Sequence, residues 1–246
     1  MTYQKNNLKI ALLISGSGTT MEAIIKACRS GKLTNCEPVL VISSDANAGG
    51  ITRARALKIK DEDILVINPK DFASREEFGQ KIIEECEKRD VNFIGQYGWL
   101  WKTPLNVIKK YKDRIINQHP GPLDNGRPDF GGIGMFGMRV HQARLEFVNK
   151  TNTDFWTEAT THRVTEKFDE GVVLKNKKVP ILPYDTAETL SMRVLPIEHE
   201  VQIELLQDFV NGTVEEFHRE TPLILPGEEI MLGECKEIAK KLYPNG

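Results

Sequence analysis

Asn117, His119 and Asp169 are the side-chain types that hold oxyanions and move protons. The stretch from Arg114 to Gly132, RIINQHPGPLDNGRPDFGG, starts as an apolar run and ends on Asn117-Gln118-His119-Pro120. Residues 121–134 follow with five glycines and two prolines. On an extended strand, side chains two apart share a face, so Asn117 and His119 aim into one volume while Gln118 points the other way. A carboxamide N–H there can hold an oxyanion, and an imidazole can shuttle a proton or polarise the same oxygen, which is what acyl transfer to an amine requires. Asp169 sits in a tight turn, Phe168-Asp-Glu-Gly171, after a strand able to return beside this edge. A carboxylate in that place would favour the protonated imidazole and fix its orientation. Each fragment also has an ordinary explanation, since Asn, His and Pro commonly end strands and Asp-Glu-Gly commonly makes turns.

A second candidate is SGSGTTM, Ser15 to Met21. It falls between an apolar run and an amphipathic one, where free backbone N–H groups and the positive end of a helix dipole make an anion site. Phosphate is the natural guest, contacted at Gly18, with Thr19 and Thr20 adding hydroxyl donors. The stretch is neither GxGxxG, because Met21 occupies the third glycine's place, nor a P-loop, because it has no lysine. Small residues in a tight strand-to-helix turn also have a purely steric explanation.

The elements that must position these residues follow from periodicity. Lys9 to Ser15 is an apolar strand, and Thr19 to Arg29 is a helix with Met21, Ile24, Ile25 and Cys28 on one face. The alternation continues with a strand over Pro38 to Ser43, a helix over Gly50 to Leu57, a strand over Asp63 to Asn68 and a helix over Arg75 to Glu87. A strand over Val91 to Gln96, a helix over Thr103 to Lys110 and a strand over Asp113 to Gln118 complete it. Continuous apolar strands separated by helices predict a Rossmann-like, doubly wound, mostly parallel α/β sheet, with Asn117 and His119 at the strand edge where such folds bind ligands. Beyond Gly134 the pattern becomes antiparallel. It reads as a helix over Phe136 to Val148, a strand exposed on one side over Phe155 to Thr165, a strand over Val172 to Ile181, and a long helix over Thr186 to Val210 that Pro196 should kink or interrupt. A last short helix is expected near Glu234 to Leu242.

The chain's 246 residues suit a single α/β domain. We divide it into a half over about 8–112 that carries the phosphate site, a half over about 113–212 that carries the catalytic residues, and a tail over 213–246. With 33 basic and 35 acidic residues, no strong field points to nucleic acid or an anionic membrane. Four scattered cysteines, Cys28, Cys36, Cys86 and Cys235, lack zinc-ligand or disulfide-framework spacing, and His141, His199 and His218 lack metal spacing, so no metal is expected. The polar start MTYQKNNLK reads as running straight into a strand without a leader, and no run reaches transmembrane length, which predicts a soluble cytoplasmic protein.

In order along the chain, ISGSGTTMEAII, SREEF, INQHP, HRVTEKFDEG and MRVLPIEHE resemble the formyltransferases that use 10-formyltetrahydrofolate, over about residues 8 to 210. The resemblance implies a transfer of the formyl group from that folate, as co-substrate, to a phosphate-bearing amine. The nearest branch formylates glycinamide ribonucleotide in purine synthesis. It further implies Asn117, His119 and Asp169 as the catalytic group, and Gly18, Thr19, Thr20 and nearby Arg75 on the substrate phosphate. Glu198 falls on a glutamate that contacts the glycinamide, and the segment with Leu100, Trp101, Lys102 and Thr103 wraps the pteridine. In the implied mechanism a neutral amine attacks the formyl carbon while Asn117 and protonated His119 steady the oxyanion. His162 aligns with a family histidine near the site, but taken alone it reads as a polar residue on a half-exposed strand.

The sequence departs from the family at two places. The loop after His119 reads HPGPLD where the family usually has HPSLLP, and NGRPDFGGIGMFG lengthens the interval to Asp169. GQYGWLWKT lacks a folate-site arginine common in the family, and the ring of Trp101 could stack on a pterin without replacing that charge. The alternatives are an amino-sugar nucleotide as acceptor and a non-catalytic phosphate- or folate-binding module. A methionyl-tRNA acceptor and a formate-releasing hydrolase are disfavoured, because those relatives carry further domains. Arg127 and Asp129 read as a solvated loop pair, and the sequence leaves oligomeric state open.

Overall fold

The computed structural model describes residues 7–246. The first six residues of the polar start, and the expectation that no leader precedes the first strand, lie outside the described residues. Seven strands form one mixed sheet in the order β3-β2-β1-β4-β5-β6-β7. Two compact units divide the chain, one holding residues up to 117 with 163–166 and 202–214, the other holding 118–162, 167–201 and 215–246.

In the first unit, β1 (Leu8–Ile14) pairs in parallel with β2 (Cys36–Ser43) and β4 (Phe93–Gln96). β2 pairs in parallel with the three-residue β3 (Ile64–Val66), and β4 with β5 (Ile115–His119). Between strands run α1 (Thr19–Ser30), α2 (Gly49–Ala56), α3 (Arg75–Glu87) and α4 (Leu105–Lys110). Leu13, Ile42, Phe78, Ile82, Ile94, Val107 and Ile115 share one buried cluster, which is why these strands are apolar along their length. α3 starts where its cap dictates: the Ser74 hydroxyl accepts from Glu77 N–H, and the Glu77 carboxylate returns to Ala73 N–H. α1 stops at Gly31, whose φ of 76° only glycine adopts readily.

In the second unit, α5 (Met138–Thr151) precedes the antiparallel pair β6 (Trp156–Arg163) and β7 (Val173–Pro180). α6 (Ala187–Asn211), whose residues up to Val201 belong to this unit and the rest to the first, and α7 (Glu229–Leu242) follow. Leu145, Val148, Ala159, Val179, Leu190 and Val194 form one core, and Phe130, Val140, Phe147, Leu232, Cys235 and Ala239 form another in which α7 meets α5.

Three expectations are corrected. β6 is not exposed on one side: every residue from Thr157 to His162 is buried. Glu158 is paired there with Arg219 and Asn176, whereas the Thr157 and Thr160 hydroxyls are buried without a partner among the described residues. Pro196 does not interrupt α6, which runs 25 residues through it. Pro196 and Met192, the residue four earlier whose carbonyl loses its partner, are both exposed, so water can take the missing bond. α7 begins at Glu229 rather than near Glu234, adding a turn whose Leu232 is buried. Among the described residues no helix is long and apolar enough to cross a membrane.

The glycine turn after β1 is set by a close backbone approach. Gly50 N–H donates to the Gly16 carbonyl at 3.0 Å, and a Cβ on Gly18, whose φ is 71°, would lie 2.7 Å from the Gly50 Cα. Gly31 shares the left-handed backbone but faces open space. Gly31→Ala should therefore cost about 1 kcal/mol for backbone alone, and Gly18→Ala about 2–3 kcal/mol with the clash added. Urea unfolding of the two variants side by side measures the difference.

Candidate active site

Asp169 occupies the turn after β6 in a left-handed backbone, φ 58°, which aspartate tolerates better than most residues. Its carboxylate is shared by two imidazoles. Oδ2 stands 3.6 Å from His119 Nδ1, and Oδ1 stands 3.4 Å from His162 Nε2. Gly132 N–H donates to Oδ2 at 3.0 Å. Burial pushes this carboxyl up, but His119, His162 and the Gly132 N–H outweigh it and hold Asp169 down at about 2. The ladder between β6 and β7 shifts register between Thr161 and His162. Such an irregularity re-aims a side chain, and here the histidine faces the carboxylate.

His119 is buried, and its Nε2 has no hydrogen-bond partner among the described residues. Burial lowers its pKa most, the Asp169 charge raises it, and the nearby His162 lowers it again, so the net direction is downward. Without ligands the imidazole thus takes up a proton only below the ordinary 6.5, because desolvation exceeds what one carboxylate returns. Directing Nδ1 at Asp169 leaves Nε2 as the open position, able to accept a proton and then donate it. Asn117 precedes His119 by two residues on β5 and is half-buried.

Gln118, on the opposite face of β5, donates to Glu198 Oε1 at 2.7 Å. Glu198 is therefore not a water-facing helix residue. Burial raises its carboxyl to about 7 against the opposing Gln118 bond. Arg127 and Asp129 are not a solvated pair either: Arg127 binds Asp124 through Nε and Nη2 at 3.0 and 2.7 Å. Asp129 instead accepts from the Asp124 and Gly131 N–H groups, and burial lifts it to about 6.

In the first unit, Gly18 and Thr20 are buried and Thr19 half-buried at the start of α1. The Ser15 hydroxyl accepts from Leu100 N–H and meets the Ser44 hydroxyl, tying that turn to the Leu100 segment. Arg75 lies on an open cleft of about 480 Å³ together with Lys102, Thr103, Asn106, Lys109 and Glu166. It thus shares a surface with two of the residues expected on folate. Trp101 is 37% exposed beside them, whereas Trp99 is buried and stacks on Phe78.

Sequence reasoning gave too little weight to His162 and missed Asp129, His141 and Lys236. A register irregularity places His162, a buried loop Asp129, a helix in the tail Lys236 and α5 His141, and a helical period does not say which residue of the helix meets a group distant in sequence. His141 on α5 is buried with Nδ1 unpartnered, and desolvation followed by the nearby His119 lowers it to about 4.

The chain belongs to the formyl transferase family, whose model matches residues 8–206. The chain is 30% identical over 210 residues, 83% of its length, to the chloroplastic phosphoribosylglycinamide formyltransferase of Arabidopsis thaliana. It is 32% identical over 86% of its length to the trifunctional purine biosynthetic protein adenosine-3 of Gallus gallus. It spans 66% of the plant relative and 19% of the avian one, less than two thirds of either. The crystal structure of glycinamide ribonucleotide transformylase 1 from Symbiobacterium toebii superposes with a TM-score of 0.74 at 30% identity, covering 86% of this chain and 92% of that one.

These groups give the site a defined acid response. The folded values of His119 and His141 lie below the ordinary 6.5, so the unfolded chain binds more protons. Their stabilising contribution is complete above 6.5 and is lost as pH falls below it. Asp169 has the same sign at lower pH, complete above 3.8 and lost toward about 2. Glu198 has the opposite sign, complete below 4.5 and lost as pH rises toward about 7. His141→Leu should fold, since the Nδ1 it removes has no partner. It should reduce the slope of unfolding free energy against pH between 6.5 and about 4 by up to one proton, ~1.4 kcal/mol per pH unit. Denaturant titrations at several pH values read that slope.

Proposed function

We propose that this chain transfers the formyl group of 10-formyltetrahydrofolate to the amine of glycinamide ribonucleotide in de novo purine synthesis. The observation that carries the reading is the His119 imidazole, turned by Asp169 on one nitrogen and buried with the other open. The names of its relatives and the family match support the same reaction. We take residues 1–246 as one formyltransferase domain, with a phosphate-binding half over about 8–112, a catalytic and folate-binding half over about 113–212 and a tail over 213–246. We assign it to the cytoplasm, in keeping with four cysteines that are all free.

In this mechanism the neutral amine attacks the formyl carbon, and the carbonyl oxygen takes the displaced electron pair as an oxyanion. The Asn117 amide donates to that oxygen. His119 Nε2 accepts the proton lost by the attacking nitrogen, and the adjacent Asp169 carboxylate stabilises the resulting imidazolium. That proton passes to N10 of the folate as the carbon–N10 bond breaks, which returns His119 to its neutral form. Gly18, Thr19 and Thr20 hold the substrate phosphate through backbone and hydroxyl donors at the start of α1. Glu198 contacts the glycinamide end of the acceptor. Leu100, Trp101, Lys102 and Thr103 line the folate, and the Arg75 and Lys102 charges on their shared cleft suit its carboxylates.

His119→Ala and Asp169→Asn should each cut formyl transfer by on the order of 10² or more while leaving the fold intact. Loss of formyl-folate absorbance with glycinamide ribonucleotide as acceptor measures it, and wild-type turnover in either variant would refute the assignment. Transfer only to amino-sugar nucleotides would move the acceptor, and formate release without transfer would make the enzyme a hydrolase. Arg75→Ala should raise the apparent KM for the folate several-fold, on the order of one lost charged hydrogen bond, with less effect on the ribonucleotide. The reverse pattern would return Arg75 to the phosphate.

A further inference from the structure

α7 packs Leu232, Cys235 and Ala239 against Phe130, Met135 and Val140, and the next residue after Cys235 reaches the glycine-rich loop. Lys236 Nζ donates to the Gly131 carbonyl at 2.8 Å. That carbonyl belongs to the same peptide unit as the Gly132 N–H that binds Asp169 Oδ2. A cation on the oxygen of an amide polarises it and makes its N–H a stronger donor. The preceding peptide is held as well, because Gly131 N–H donates to Asp129 Oδ1 at 2.8 Å. A side chain on Gly131 would not fit, since its Cβ would lie 2.7 Å from that of Asp169. Arg139 secures the far end of the arrangement. Its guanidinium donates to the Gly134 carbonyl at 2.9 Å and, past the end of α7, to the Tyr243 and Pro244 carbonyls at 2.8 and 2.6 Å.

We propose that Lys236 is a positioning residue for formyl transfer: through the Gly131–Gly132 peptide it holds Asp169 against His119, which makes the last helix of the chain part of the active site. The inference rests on the formyltransferase reading. It concerns a helix that lies wholly beyond residue 206, where the family match ends. The charged and titratable groups around this contact are Asp129 from the loop, Asp169 from the turn after β6, His119 from β5, His162 from β6, His141 from α5 and Lys240 one turn along α7. The Lys236 charge disfavours protonation of both His119 and Asp129. Loss of that charge alone would raise the pH at which His119 takes up a proton, whereas release of Asp169, the larger influence, lowers it, so the acid limb of the activity profile moves down with the lost contact.

Three variants test this in the full chain: Lys236→Met, Lys236→Gln and Lys236→Arg. The measurements are kcat and KM across the pH range, and the titration of His119 by NMR of histidine-labelled protein without ligands. Lys236→Met should lower kcat by on the order of tenfold with little change in either KM. It should also shift the His119 midpoint and the acid limb downward, and Lys236→Arg should restore both; an upward shift, the mark of a lost charge without a lost position, would overturn the proposal. Should Lys236→Met not fold, the neutral and polar Lys236→Gln carries the same readouts. A neutral variant with wild-type kcat and an unmoved His119 midpoint overturns the proposal, as does one that loses only stability. If the wild-type protein transfers no formyl group, the formyltransferase reading fails, and the His119 titration alone then decides whether Lys236 acts on this centre.

Discussion

Burying a carboxylate costs several kcal/mol unless charge and hydrogen bonds meet it inside the protein. Asp169 is buried in a left-handed turn and is met on one oxygen by His162, on the other by His119 and by the Gly132 N–H. Much of the second unit can be understood as the means of supplying those partners. The irregularity in β6 aims His162, the end of β5 delivers His119, and the long loop brings the Gly132 N–H, next to a Gly131 whose Cβ would clash with Asp169. His119 is itself desolvated, and burial lowers its pKa more than the Asp169 charge raises it.

The loop over residues 121–137 is unusual for being both glycine-rich and well anchored. Its glycines permit backbone to approach Asp169 closely, but they also leave the chain with more conformations to lose on folding. The lost freedom is offset by fixed partners from the tail. Asn125 donates to the Phe217 carbonyl, Arg127 to the Arg219 carbonyl, and Lys236 to the Gly131 carbonyl. Asp124, almost fully buried, accepts from Leu223 N–H as well as from Arg127. An extended loop and an extended tail thus compensate for each other.

The first unit solves a different problem with the same means. Two strand-to-helix turns, after β1 and after β2, approach so closely that Gly18 and Gly50 leave no room for a Cβ. The steric and anion-binding explanations of the glycine turn are therefore not rivals. Glycine is required by the backbone approach, and a helix start such as that of α1 also leaves N–H groups without intrahelical partners.

By itself the sequence determined the order and type of the elements, since apolar strands buried on both faces and capped amphipathic helices announce themselves by period. Arg75 to Glu87 was legible to the residue because its Ser74 cap is a local signal. It also determined that Asn117 and His119 share a face of one strand, which is a property of the extended chain alone. Only the tertiary structure decided the desolvation of His119, the burial of β6 and Glu198, the separation of Arg127 from Asp129, and the approach of His162 to Asp169 and of Lys236 to the Gly131 carbonyl. Those outcomes depend on desolvation and on partners distant in sequence, as with Lys236, 105 residues from the carbonyl it binds. No periodic pattern records such a pairing, because the free energy that selects it exists only once the chain has closed around it.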